Sequence, residues 1–344
     1  MFDSPTVFIV GAGASEEAGL PIGTTLTREI AGLLHLEVEF GNLKKGDWVI
    51  WETLQRLVKE GGWGENQFVG SGREVADAMD LALSIDTFLQ SHAHRREYVQ
   101  LGKLGIAKAI ISAEASSKMH PNREDNRPFP LRELSQTWYY SLARQLFTGI
   151  PAETPKLAFE NVAFVVFNYD RCLQTFLIRA VETYFRLNTP QAEELIKTVH
   201  IVHPYGSLGS IFGGTPNHLP FAPKQYDLLK VAAGIKTFSE SSELQAAIQQ
   251  LVYDAETVIF LGFGFHEQNM KLLDLADHAG INELPDKRAF ATTLGMSESD
   301  AGVVREQIAY ALTGRPIIPQ ANNIQTTPES CAGLFSTYWR SLTS

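Results

Sequence analysis

Four consecutive apolar residues, Val7-Phe8-Ile9-Val10, open directly into Gly11-Ala12-Gly13-Ala14-Ser15, with Gly19-Leu20-Pro21 close behind. An unbroken apolar run that ends in glycine predicts a buried parallel strand over 6–10 and a tight turn into a helix. Apolar residues then recur at helical spacing over 24–36, 47–60, 73–90, 97–116 and 131–147. Gly61-Gly62 stops the second of these helices, and polar stretches such as 122–128 separate the others. No strand pattern interrupts this half.

The second half alternates. β-Branched and aromatic runs at 162–167, 198–203, 257–261 and 288–293 predict strands, and helical patterns follow Tyr169 and cover 242–253, 268–278, 299–312 and the C-terminus. The Gly-, Pro- and Ser-rich stretch 204–224 reads as loop. Strands alternating with helices imply an α/β fold: a mostly parallel sheet with helices on both faces. We expect one domain spanning 1–344, its core sheet drawn from 1–36 and 155–295, with C-terminal helices over 296–344. The helical block 40–150 is expected as an insertion forming a lobe over the carboxyl edge of the sheet, with a cleft between lobe and sheet.

Composition narrows the function. The chain has 344 residues, ordinary globular hydrophobicity and a formal charge of −10, which argues against direct nucleic-acid binding and against an anionic membrane surface. Two cysteines, Cys172 and Cys331, cannot build a four-thiolate zinc site or a disulfide framework, so no metal is expected. The first apolar run is too short for a signal sequence and none approaches a membrane span, so a soluble, cytoplasmic protein is expected.

Candidate chemistry gathers at three strand ends: Gly11 to Ser15, Asn168-Tyr169-Asp170, and His203-Pro204-Tyr205-Gly206-Ser207. In a parallel sheet such ends lie along one edge, so an amide, a carboxylate and an imidazole can meet beside a phosphate seat. The glycine turn is not the full Rossmann fingerprint, because the position of the third glycine is Glu16, and not the P-loop, because Gly-Lys-Ser/Thr is absent. Taken singly, each group has a plain structural reading: a strand-to-helix turn, a helix cap, a satisfied histidine.

In order along the chain, Gly11 to Ser15, Gly19 to Pro21, Asn168 to Asp170, His203 to Ser207 and Gly262-Phe263-Gly264 resemble the motifs of the Sir2-like family. The Asn-Tyr-Asp form resembles the bacterial branch that acts in anti-phage defence as NAD⁺ hydrolases. The resemblance implies a Rossmann-like sheet and NAD⁺ as substrate. It implies binding by Gly11, Ala12, Gly13, Ala14, Ser15, Pro21, Tyr205, Gly262, Phe263 and Gly264, and catalysis by Asn168, Asp170 and His203. Asn168 would orient water and ribose, Asp170 would meet nicotinamide, stabilise positive charge or brace its loop, and His203 would act as general base.

Two departures stand out. The deacetylases of the family carry a four-cysteine zinc ribbon that this chain cannot build, and Tyr205 falls where the family's catalytic histidine belongs when Gly206-Ser207 is aligned. Positions two apart on a strand share a face, so His203 could reach the same pocket, and an imidazole is the better base at neutral pH. A protein deacylase, an ADP-ribosyltransferase and an inactive nucleotide-binding module remain alternatives. Family analogy further implies a separately encoded sensor, an ATPase or Argonaute-like protein. A homo-oligomer, or an assembly with a partner, is expected through the helical block and the C-terminal helix, with Trp48, Trp51, Trp63, Tyr139 and Tyr140 as candidate contacts.

Overall fold

A computed structural model describes residues 2–120, 129–275, 287–313 and 323–343. The polar break expected at 122–128 and the end of the helix expected over 268–278 lie outside these residues. Eight strands are described: β1 (Thr6–Val10), β2 (Glu37–Glu39), β3 (Asn42–Lys45), β4 (Val162–Val166), β5 (His200–Val202), β6 (Thr257–Leu261), β7 (Arg288–Thr292) and β8 (Ile324–Thr327).

The chain divides into two compact units, one built from 1–18, 121–204 and 241–344, the other from 19–120 and 205–240. The first holds a six-stranded sheet in the order β5-β4-β1-β6-β7-β8. Every pairing in it is parallel. Counted within the sheet alone, that order is 3-2-1-4-5-6, the doubly wound Rossmann arrangement, whose direction of growth reverses between β1 and β6. With helices packed around the sheet, the fold is α/β and Rossmann-like. β1 and β6 are buried along their whole length, as central parallel strands covered on both faces must be. Phe8, at the middle of β1, stacks on Phe164 at 5.1 Å and lies parallel to Phe335 at 6.5 Å, tying three segments distant in sequence into one core.

The second unit is mainly helical. The long helix Arg96–Ser116 packs against helices Gly23–Leu34, Glu65–Ala78 and Leu228–Ala232. Gly105 permits the close approach of Gly23–Leu34, since a Cβ there would come within 2.9 Å of the Ile30 side chain.

Several sequence expectations change in detail. The first half does contain strands: β2 and β3 form an antiparallel hairpin whose two-residue turn, Phe40-Gly41, has positive φ at both positions. Its strands are short and polar, and phenylalanine replaces the usual Asn or Asp before glycine, so the pattern carries little signal. The helix expected over 73–90 is two helices, Glu65–Ala78 and Ile85–Ser91, with Ser84 capping the second. The helix expected over 131–147 starts only at Trp138. β8 was not expected, because Gln325-Thr326-Thr327 lacks an apolar run. β5 ends at Val202, so His203 and Tyr205 lie beyond the strand, and the same-face argument fails because alternation of side chains needs extended, paired backbone. Trp51 and Tyr139 are fully buried and so are not surface groups for an oligomer, whereas Trp48 is exposed.

Candidate functional site

The glycine turn after β1 packs backbone to backbone against the turn after β6, at the switch point of the sheet. Gly11 N–H donates to Leu261 O at 2.9 Å and Gly13 N–H to Gly262 O at 3.0 Å. A Cβ at Gly11 would stand 2.5 Å from Gly262 O, and one at Gly262, where φ is +54°, would stand 2.0 Å from the Ala14 nitrogen. The glycines therefore serve this turn-to-turn contact, and two of the amides expected to cradle phosphate are committed to backbone carbonyls. Ala12, at the start of the short helix Ala12–Glu16, is the exposed residue of the seat, while Ala14 and Ser15 are buried.

Ser15 is the centre of a buried hydrogen-bond cluster. Its hydroxyl donates to Asp170 Oδ2 at 2.8 Å, accepts from Asn168 Nδ2 at 2.8 Å and lies 3.3 Å from the Tyr139 hydroxyl. The other Asp170 oxygen accepts from Cys172 N–H at 3.0 Å, at the start of helix Cys172–Phe185. Both carboxylate oxygens of Asp170 are thus occupied within the protein, which supports bracing of the loop over contact with a ligand. The Ser15 hydroxyl is likewise turned inward. Asn168, only 5% exposed, is different: its Oδ1 is enclosed and has no hydrogen-bond partner among the described residues. An unpaired buried acceptor is costly, so such an atom marks a place where a donor belongs.

His203 stands beside Asn168, as expected, but touches its backbone. Nδ1 is 3.2 Å from Asn168 O, and Nε2 is 2.6 Å from Gln174 Nε2. A carbonyl can only accept, so Nδ1 carries the proton and Nε2 accepts from the Gln174 amide. Burial holds the imidazole below its ordinary pKa, opposed by the bond to Asn168, and the ring is neutral at pH 7. Its basic lone pair is nevertheless occupied by Gln174.

Tyr205 belongs to the helical unit. It is 3% exposed, and burial, followed by the charge of Asp86, raises its phenol well above the usual value, so the hydroxyl keeps its proton. Gly206 beside it has a positive φ and would place a Cβ 2.0 Å from Gly234 O, so this segment is held tightly within its own unit. Pro21 also lies in that unit. After β6, Gly262 N–H donates to Thr292 Oγ1 at 2.8 Å. The ring of Phe263 packs against Phe167, Phe260 and Phe265 and is core. Gly264 faces the His266 imidazole, which a Cβ would meet at 2.9 Å. Both cysteines are buried, and burial raises the Cys331 thiol, which marks it as an unreactive packing group.

Three contributors carry no local motif. Tyr139, Gln174 and Thr292 reach the site only through packing, and nothing in the residues around them singles them out. Among the described residues, no three His, Cys, Asp or Glu side chains gather as a metal site, and no helix is long and apolar enough to cross a membrane.

A six-stranded parallel sheet of this order, with polar strand ends meeting at its switch point, defines a Rossmann-like α/β fold. Residues 162–305 match the family described as SIR2-like domain. Domains of this family bind NAD⁺ and act as NAD-dependent enzymes. The matched residues include Asn168, Asp170, His203 and the turn after β6, while the glycine turn and Tyr139 lie outside them. No curated protein matches the chain.

Proposed function

We propose that this protein is an NAD⁺ glycohydrolase that releases nicotinamide and ADP-ribose, and that it serves as the NAD-depleting effector of a bacterial anti-phage system. The observation that carries the reading is Asn168. Its amide is anchored through Ser15, and its unpaired Oδ1 fits a ligand bearing hydroxyl or amide donors, as the ribose and carboxamide of NAD⁺ do. The crossing of the two glycine turns at the switch point is where a dinucleotide lies in folds of this order.

Breaking the glycosidic bond to nicotinamide builds positive charge at the anomeric carbon of the ribose, so groups held in place before the reaction lower its barrier. Asn168 Oδ1 would accept from a ribose hydroxyl or from the attacking water and hold it at the reacting face. Asp170 would keep Ser15 and the loop in register from behind. Gly11 and Gly13 would keep the turn close to the pyrophosphate, with Ala12 facing it. His203 would hold Asn168 through its main-chain carbonyl, and would serve as general base once Gln174 releases Nε2.

An unrestrained hydrolase would exhaust the NAD⁺ of its own cytoplasm. We therefore infer control by assembly, through homo-oligomers or a separately encoded sensor such as an ATPase or Argonaute-like protein. The exposed Trp48, Phe40, Leu81 and Leu83 of the helical unit are available for such contacts. Light scattering of the protein with its genomic neighbour tests the assembly, and a monomer under both conditions refutes it.

Incubation with NAD⁺, with and without an acyl-lysine peptide, tests the activity. Nicotinamide release independent of peptide is the expected result. Release only with peptide indicates a deacylase or a transferase, and no release under any condition indicates a binding module.

A further inference from the structure

The cluster around Ser15 fixes which atom of the Asn168 amide is free. A serine hydroxyl has one proton and two lone pairs. Its proton goes to Asp170 Oδ2, because a carboxylate only accepts. Any other group bonded to Ser15 must then donate, so Asn168 can bond through Nδ2 alone, and Oδ1 is turned to the opposite side. The second lone pair faces the Tyr139 hydroxyl, 3.3 Å away. Tyr139 retains its proton: burial, with Cys172 and Asp170 adding to it, holds its pKa well above 10.0.

Tyr139 is itself held by several contacts. Trp138, the residue before it, donates its backbone N–H to Glu17 Oε2 at 2.7 Å and its indole N–H to Ala14 O at 2.8 Å. Both acceptors lie within three residues of Ser15, so the start of helix Trp138–Phe147 is fastened to the glycine turn on two sides. Tyr139 is 1% exposed, packed against Trp138 at 4.1 Å and Phe176 at 5.7 Å. No ring movement is needed to keep its hydroxyl on Ser15.

The geometry points to Tyr139 as a positioning residue: by filling the last lone pair of Ser15 it locks the hydroxyl rotor, and with it the Asn168 amide, so that an acceptor oxygen rather than an NH₂ group is offered to the substrate. The role of that oxygen in catalysis rests on the NAD⁺-cleavage reading; the orientation itself does not. With the phenol removed, one lone pair of Ser15 loses its donor, so the hydroxyl is held by Asp170 and Asn168 alone and the Asn168 amide is less tightly fixed. A group misplaced in this way loses rate more than binding.

The test uses Tyr139→Phe, with Ser15→Ala as a second variant and thermal unfolding as a check that each is folded. In wild-type protein labelled with ¹⁵N-asparagine, the side-chain amide of Asn168, identified by its loss in Asn168→Ala, should give one well-dispersed pair of resonances protected from exchange. Tyr139→Phe should collapse or split that pair, lower kcat for nicotinamide release by ~10- to 100-fold, and leave KM for NAD⁺ within about twofold. An unchanged amide pair in folded Tyr139→Phe overturns the inference, as does an unchanged pair in Ser15→Ala should the first variant not fold. If the wild type releases no nicotinamide while the resonances respond as expected, the functional reading fails and the positioning stands.

Discussion

The side-chain amide of Asn168 donates to the hydroxyl of Ser15 over 2.8 Å, joining residues 153 positions apart. Ser15 has no second proton to give, so a carboxylate in place of that amide cannot be satisfied. Asn168→Asp, although nearly isosteric, should lose nicotinamide release by at least ~100-fold at neutral pH, on the scale of an oriented polar group lost from a reacting centre. A protonated carboxyl can donate to Ser15, so part of the rate should return as the pH is lowered. Asn168→Ala should show a loss with no such recovery. Matching pH–rate profiles for the two variants would refute the donor assignment.

His203 is held below its ordinary pKa of 6.5 by burial. Between that value and the lower folded one, the unfolded chain binds a proton that the folded site refuses, so stability rises with pH across the window. The contribution is complete above pH ~6.5 and is lost as pH falls through the folded pKa. His203→Gln should flatten the acid side of the stability curve. It should also reduce nicotinamide release by ~10²-fold or more if the ring acts as base. Gln174→Leu, which frees Nε2, should preserve activity if proton transfer is the role of His203. A stability curve of unchanged slope in His203→Gln would refute the assignment of the shift to this ring.

Gly262 has a positive φ and a Cβ there would overlap the Gly13–Ala14 peptide, which cannot swing aside as a side chain would. Gly262→Ala should destabilise the protein by about 1–3 kcal/mol for overpacking, with a further ~1 kcal/mol for the left-handed backbone. Gly19→Ala provides the contrast, because its φ is +90° with nothing within 4 Å of the added carbon. That variant should lose only ~1 kcal/mol. Urea unfolding of both measures the difference, and equal losses would mean that the turn-to-turn contact is not as tight as described.

Glu17 joins two helices to the glycine turn, accepting from Trp138 N–H at 2.7 Å and from Ala332 N–H at 2.8 Å. Glu17→Ala leaves both donors without this acceptor, and should cost about 1–3 kcal/mol at neutral pH. Burial is the largest influence on the carboxyl and raises its pKa above 4.5, against the pull of those backbone bonds. The folded chain therefore holds this proton to higher pH than the unfolded chain. The benefit of Glu17 is complete below about pH 4.5 and diminishes as pH rises through the folded pKa. The gap between wild type and Glu17→Ala should be wider at about pH 4.5 than at pH 7, and a gap that widens with pH would refute this account.

Much of the fold was legible because local patterns were strong. Val7 to Val10, Val162 to Val166 and Thr257 to Leu261 are apolar runs that only a covered parallel sheet can bury, and glycines at the ends of two of them announced tight turns. The order of motifs was likewise enough to suggest the Sir2-like family, later matched over 162–305. The polar hairpin at Glu37–Lys45 and the strand Ile324–Thr327 escaped because pairing with neighbours, not hydrophobicity, makes them strands.

The site was legible only as a list of residue types. Sequence placed Ser15, Asn168, Asp170 and His203 at strand ends, yet it could not say which hydrogen bonds each would spend on the others. Tertiary structure decided that Gly13 N–H serves Gly262, that His203 bonds the main chain of Asn168 and the amide of Gln174, and that Tyr139 arrives at Ser15 from 124 residues away. Periodicity reports which face of an element is buried. The partner across that face is chosen by packing and by the need of every buried donor and acceptor for a complement, and these are properties of the assembled chain.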